Sequence, residues 1–319
     1  MIRMLTRTSK TIVKTPGKTV LDYLADRFTY RSSSGWLDEI KAGRVLVNDS
    51  PANPSQILEL DDAINYNPIP KPEPEVNPNV AVIDETDDFI ALDKPPNLPC
   101  HPAGCFFNNT LWAMLKTGRV KGLDPMDNIH LVSRLDRETS GVVLVAKSPK
   151  AAKLASDAIN ASTATREYVV LIEGVFPDHL EAEGFLWTSP NQTIHKKRQF
   201  GAIPPANAIN PESAKTTFET IARNNGLSLL SATLHTGRTH QIRATLASLG
   251  FPVVGDKIYG LDETIFLRFI DDALTQQDQD KLKLDRQALH AKKIAFSYNQ
   301  KQMEFIANTP DEITNLIRK

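Results

Sequence analysis

Apolar positions recur every three or four residues in two short stretches near the start of the chain. Val20, Leu21, Leu24 and Phe28 do so within Thr19 to Phe28, and Trp36, Leu37 and Ile40 within Gly35 to Lys41. That period puts each set on one face of a helix and predicts two short amphipathic helices. Arg44 to Asp49 then reads as a strand running into a turn, and Ala63 to Tyr66 as a closing strand. Residues 1–66 are therefore expected to form a small α+β module. Pro68, Pro70, Pro72, Pro74 and Pro78 follow; they forbid a helix and disfavour a central strand, which predicts a semi-rigid linker over 67–79.

Beyond the linker, short β-like runs recur at Ala81 to Ile83, Phe89 to Leu92, Val142 to Ala146, Tyr168 to Ile172, Leu227 to Leu230 and Lys293 to Phe296. Helical patterns lie at Thr110 to Lys116, Lys150 to Ile159, His240 to Leu249 and Asp262 to Leu284. Helices and strands do not alternate regularly, so a doubly wound parallel sheet is disfavoured. Residues 80–319 are expected to be one α+β domain built on a large mixed sheet. No internal repeat, dinucleotide fingerprint or glycine-rich phosphate cradle stands out.

Composition narrows the function. The 319 residues carry a formal net charge of -1, which argues against binding nucleic acid through a global positive field. Cationic contacts must then be local. Residues 1–44 hold nine Lys or Arg, Arg3 among them, against four acids, an excess that fits either an RNA-facing surface or a solvated terminus. Two cysteines, Cys100 and Cys105, are too few for a disulfide framework, and with only His101 nearby they do not make a four-ligand zinc site. The chain lacks a long apolar run and a secretory pattern near its start, so a cytoplasmic protein without a membrane partner is expected.

Two stretches carry candidate chemistry. In Ser133-Arg134-Leu135-Asp136-Arg137-Glu138-Thr139-Ser140-Gly141 an acid between two arginines ends a polar loop just before a buried strand. Positive neighbours keep such an Asp ionised, fit to act as nucleophile or base. Such a cluster is also a common structural ion-pair network. The second stretch, His235-Thr236-Gly237-Arg238-Thr239-His240-Gln241-Ile242-Arg243, opens a helix that Thr239 is placed to cap, with Arg238 able to reach an anion. Downstream, Gly255 and Gly260 permit turn conformations around Tyr259.

Together these stretches resemble the RluA-type pseudouridine synthases. Three further segments support the resemblance: Leu92-Asp93-Lys94-Pro95-Pro96-Asn97-Leu98-Pro99-Cys100-His101-Pro102, Arg166-Glu167-Tyr168, and Arg286-Gln287-Ala288-Leu289-His290-Ala291. The family implies a catalytic domain with a mostly antiparallel mixed sheet and flanking helices. It implies Asp136 as the catalytic carboxylate, Arg238 as its ion-pair partner, and Arg134 as the side chain that fills the space left by a flipped uridine. Tyr168 would stack on the uracil and accept the proton from carbon 5. Arg137, His101, His240 and Tyr259 would complete the substrate-binding surface, with no cofactor. Ser133, Glu138, Pro96-Asn97 and Thr245 depart from the family pattern, although Asn97 can hold the left-handed turn of the glycine it replaces.

The first module resembles the S-four-type RNA-binding domain, which implies phosphate contacts for Arg27, Arg31, Lys41 and Arg44. Lys196 and Lys197, beside Arg198, could reach phosphate or lie in a solvated loop. The stretch Asp262 to Leu284, with Asp271, Asp272, Asp278 and Asp280, is too acidic to face RNA and is expected to face solvent. The expected partner is RNA, ribosomal before transfer, bound by a monomer. The competing readings are a non-catalytic RNA-binding assembly factor and a glycosidic hydrolase, which would want a second carboxylate.

Overall fold

Seven consecutive buried residues, Ser140–Ala146, form the strand on which the larger part of the molecule is organised. Val142 and Leu144 pack into one hydrophobic cluster while Val143 and Val145 pack into another, so the run is apolar throughout because both faces are covered. The structure, a computed structural model, describes residues 4–161, 164–190 and 192–318. Arg3 lies outside them. The chain divides into two compact units, Met1–Pro74 and Glu75–Lys319.

The first unit contains β1 (Ser9–Ile12), α1 (Val20–Arg27), α2 (Ser33–Lys41), β2 (Val45–Val47), β3 (Ser50–Pro51) and β4 (Ala63–Tyr66). Its sheet runs β1-β4-β2-β3. Thr19 and Ser32 cap the two helices by accepting the N–H groups of Asp22 and Gly35. The predicted apolar stripes meet in a core of Val20, Leu24, Trp36, Ile40, Val45 and Ile64.

The second unit contains β5 (Ala81–Glu85), β6 (Phe89–Lys94), α3 (Leu111–Thr117), β7 (His130–Leu131), β8 (Ser140–Ala146), α4 (Pro149–Asn160), β9 (Thr165–Glu173), β10 (His179–Thr188), β11 (Gln199–Gly201), β12 (Ile209–Asn224), β13 (Leu227–Leu234), α5 (Gln241–Ser248), α6 (Thr264–Ile270), α7 (Gln276–Leu282), β14 (Leu289–Tyr298), β15 (Lys301–Ile306) and α8 (Asp311–Arg318). Eleven strands make one sheet in the order β11-β10-β12-β13-β9-β14-β8-β6-β5, with β15 added to β14 and β7 to β8. Among the described residues the pairing is antiparallel except between β8 and β14. Helix α4 covers one face of β8 and α3 the other. Helices α5 and α8 pack against β9 and β13. No helix among the described residues is long and apolar enough to cross a membrane.

Two features differ from the sequence expectation. The helix expected over Asp262 to Leu284 is broken into α6 and α7, because Asp272 takes a left-handed φ of 51° and Thr275 starts a new helix in a capping box with Asp278. Asp278 does not face solvent: it is buried and holds Arg268 at 2.6 and 2.8 Å. The long strands β10 and β12 carry so many charged residues on their exposed face that their β-periodicity is diluted, and no strand was expected there.

Gly141 opens β8 at φ +110°, and a Cβ there would stand 2.1 Å from the Ala291 carbonyl oxygen across the parallel pair. Gly141→Ala is therefore expected to cost about 3 kcal/mol or more from positive φ and overpacking combined. Urea unfolding followed by circular dichroism measures this; an unchanged midpoint would show that the parallel pair tolerates a side chain.

Candidate active site

The loop between β7 and β8 carries Asp136, and strand β8 fixes where that loop ends. The carboxylate leaves 31% of its side chain accessible. Its neighbours come from separate parts of the sequence. Nη1 of Arg243, one turn into α5, donates to Oδ2 at 2.7 Å, and Nε2 of Gln287, just before β14, approaches the same oxygen at 3.5 Å. Oδ1 faces Nε2 of His240 at 3.8 Å.

Arg243 also forks onto a second acid. Its Nε and Nη2 donate to Asp256 at 2.6 and 2.8 Å, and Asp256, with no exposed side chain, accepts the backbone N–H groups of Ile258 and Tyr259. One guanidinium thus bridges two carboxylates. Burial works against the charge on Asp136, but Arg243, the His240 ring and the Gln287 amide together outweigh it and hold the carboxyl below its ordinary range. Burial likewise works against the charge of Arg243, but Asp256 and Asp136 outweigh it and raise its pKa above the ordinary value.

The backbone on either side of Asp136 is tied to the 94–100 loop. Cys100, whose thiol burial pushes up, donates Sγ–H to the Leu135 carbonyl and accepts the Leu135 N–H, both at 3.4 Å. Lys94 is fully buried, pushed down to about 8 by burial, and donates to the carbonyls of Pro95, Leu98 and Arg137 at 2.8, 3.0 and 3.3 Å. Asn97 sits in that loop at a left-handed φ of 55°. Glu138 accepts from Lys257 with both oxygens, at 3.0 and 3.1 Å, and from Arg137 at 3.3 Å.

The expected partner Arg238 does not reach Asp136. It is exposed, donates from Nε to the Ser213 carbonyl at 3.1 Å, and lies 3.7 Å from Glu212. The reason is the helix start. Thr239 does not cap α5; His240 occupies the cap position at a left-handed φ of 57°, and the Gln241 amide folds back onto Arg238 N–H, Thr236 and β12. Arg238 therefore stays outside the helix while Arg243 turns inward. Gly255 takes the expected left-handed φ of +74°, whereas Gly260 is constrained by close approach: a Cβ there would stand 2.3 Å from the Asp256 carbonyl oxygen.

Tyr168, on β9, is half-buried, and burial pushes its phenol up to about 12. That opposes the base role expected of it and leaves its ring as its contribution. Arg134 is exposed, and His101 is half-buried with its pKa lowered by burial and by Arg134. Arg137 is packed between Phe106 and Phe269, 5.6 and 5.5 Å from the ring centres, beside Glu138 at 3.3 Å, with part of its side chain still accessible. Tyr259 is buried and accepts the Arg198 N–H at 2.9 Å.

Lys196 is exposed, Lys197 pairs with Glu263, and Arg198 is buried on Glu212. In the first unit Arg27 is exposed, while Arg31 and Arg44 converge on the buried Glu39 at 3.0 and 2.5 Å. These two, expected to meet phosphate, are instead committed to an internal carboxylate. Sequence reasoning passed over Arg243, Asp256 and Gln287 as site residues, although all three stand in the segments that carry the resemblance. Their burial was the missing signal.

The family described as RNA pseudouridylate synthase matches residues 88–248. An uncharacterized RNA pseudouridine synthase of Chlorobaculum parvum is 31% identical over 291 residues, covering 88% of this chain and 87% of that protein. The chain belongs to the RNA pseudouridylate synthase family. A yeast relative, the mitochondrial tRNA pseudouridine(32) synthase of Saccharomyces cerevisiae, is 33% identical over 247 residues, covering 77% of this chain and 51% of the relative. The chain spans about half the length of several such curated relatives. The solved human RNA Pseudouridylate Synthase Domain Containing 1 shares the fold, with a TM-score of 0.56 and 19% identity over 77% of this chain and 97% of that one.

Removing Arg243 leaves two acids without their shared cation. Arg243→Gln is expected to cost about 3–5 kcal/mol in urea unfolding; a loss below about 1 kcal/mol would mean that the bridge is not what holds the loop. Because the folded pKa of Asp136 is depressed, the stability it contributes is present above its unfolded value and is lost as pH falls through the folded one. A carbon-13 titration of the Asp136 carboxyl should give a midpoint below about 3.9, and a midpoint at or above that value would contradict the electrostatic account.

Proposed function

We propose that this protein converts uridine to pseudouridine within structured RNA, with Asp136 as the catalytic carboxylate. The observation that carries the reading is the ionised, reachable Asp136, one oxygen held by Arg243 and the other open. The reaction breaks the bond from ribose carbon 1′ to base nitrogen 1 and forms one to carbon 5. Nitrogen 1 gains a proton and carbon 5 loses one. An isomerisation needs no net electrons, so side chains suffice.

The uridine must leave the stack, at a cost of a few kcal/mol. Arg134, which is exposed, occupies the gap, and the ring of Tyr168 lies against the uracil. Arg238, Lys196, His101 and His240 contribute to the binding surface, His240 with Tyr259 behind it. Residues 1–66 act as an S-four-like RNA-binding module through exposed Arg27 and Lys41, residues 67–79 as the linker, and 80–319 as the catalytic domain. The basic module favours ribosomal RNA and the yeast relative's name favours transfer RNA. The protein acts as a cytoplasmic monomer.

A base-releasing hydrolase is disfavoured because the acids beside the site are committed: Asp256 to Arg243 and Glu138 to Lys257. Tritium release from carbon 5 of labelled uridine tests the proposal, with ribosomal and transfer RNA transcripts as separate substrates. Asp136→Asn, shown to be folded, should reduce release by more than about 1,000-fold, with pseudouridine recovered from the wild-type reaction. Free uracil would support the hydrolase, and RNA binding without release the assembly factor.

A further inference from the structure

The Tyr259 hydroxyl has one proton to give and two lone pairs to receive. It accepts the Arg198 N–H at 2.9 Å, and Nδ1 of His240 lies 3.0 Å away. Tyr259 is only 2% exposed, so a stranded hydroxyl proton would cost about 1–3 kcal/mol. Nδ1 is the acceptor that the structure provides. If Nδ1 carried the ring proton, it and the phenol would be two donors with one bond between them. The proton therefore belongs on Nε2, which faces Oδ1 of Asp136 at 3.8 Å.

The backbone supports this orientation. His240 occupies the cap position of α5 without capping it, in a left-handed conformation that non-glycine residues seldom adopt. Its ring instead stands edge-on to Tyr259, at 89° with centroids 5.6 Å apart. A capping side chain has been given up for one aimed between a phenol and a carboxylate. Burial lowers the His240 pKa, so the ring is neutral at pH 7 and has one N–H to place.

We propose that Tyr259 and His240 act as a positioning pair, the phenol fixing the imidazole as its Nε2–H tautomer so that Oδ1 of Asp136 is the oxygen presented to the substrate. Oδ2 is already occupied by Arg243 and Gln287. At 3.8 Å the Nε2–H is beyond hydrogen-bond distance and leaves the Oδ1 lone pairs free, and catalytic contacts that are long without substrate often tighten in its complex. The identity of the substrate rests on the function proposed above, but the tautomer does not.

The first test is nitrogen-15 NMR of histidine-labelled full chain at neutral pH, with His240→Gln to identify the signal. The expected result is a protonated Nε2 and a bare Nδ1 on His240, turning into a tautomer mixture in Tyr259→Phe. A protonated Nδ1 in the wild type overturns the proposal, whether or not the protein has the activity assigned above. The second test is kinetic. Tyr259→Phe, with unaltered melting, should lower kcat roughly tenfold or more at unchanged KM, and His240→Gln, whose amide N–H can stand in for Nε2–H, should retain more activity than His240→Leu. Wild-type kcat in Tyr259→Phe would overturn the pair while leaving Asp136-dependent isomerisation intact. Absence of tritium release from the wild type would instead sink the functional reading, and the NMR result would still decide the tautomer.

Discussion

One guanidinium holding two carboxylates is the interaction on which the site depends. Arg243 gives two N–H groups to Asp256 and a third to Asp136. Removing a charge of this kind from water is costly, and a single carboxylate would leave part of the fork unsatisfied. With two, the donors find partners, Asp256 is further satisfied by the N–H groups of residues 258 and 259, and Asp136 is left with one oxygen exposed to chemistry. The second acid makes it possible to bury the arginine firmly. The first is then held ionised where a substrate can reach it.

The sheet decides that these groups meet. The parallel contact between β8 and β14 brings residue 287 next to the end of the Asp136 loop, across about 150 positions of sequence. Such a contact requires glycine at 141, since the neighbouring carbonyl occupies the place of a side chain. From the other side, the buried Lys94 and Cys100 hold the peptide groups flanking Asp136, one by charge and three carbonyls, the other by a sulfur that both gives and receives. The Asp136 loop, without secondary structure of its own, is thereby given two fixed neighbours, which hold its carboxylate in one geometry.

Much of this was legible from residue order. Both helices of the first unit, the all-buried strand ending at residue 146 and the place of Asp136 in the loop before it follow from periodicity and motif. The choice between two arginines did not. Arg238 and Arg243 stand in the same stretch, and which of them turns inward depends on whether the helix begins at 239 or at 241, a boundary that Gln241 settles by folding its amide back on the preceding turn. Propensity favours Thr as a cap; tertiary contacts override it. The same kind of override splits the acidic segment, where Asp278 is consumed by Arg268 and a capping box rather than by solvent. Strands β10 and β12 escaped because an alternating strand with charge on its open face is hard to tell from a polar loop.

The departures from the family pattern fall on the supports of the site and leave its centre alone. Ser133, where the resemblance implies histidine, uses its hydroxyl to accept the Leu144 N–H at 3.0 Å, anchoring the loop to β8 with a smaller side chain. Glu138, one methylene longer than the expected Asp, reaches Lys257 with both oxygens and so ties the loop to the same segment that carries Asp256 and Tyr259. Thr245, again in place of histidine, is buried on α5 with a hydroxyl that finds no partner among the described residues, a cost on the order of 1–3 kcal/mol. A substitution that disturbs a support can be absorbed by repacking or by a modest loss of stability. One at Arg243 would leave two carboxylates without their shared cation, and one at Asp136 or Asp256 would take a hydrogen-bond acceptor from a buried guanidinium.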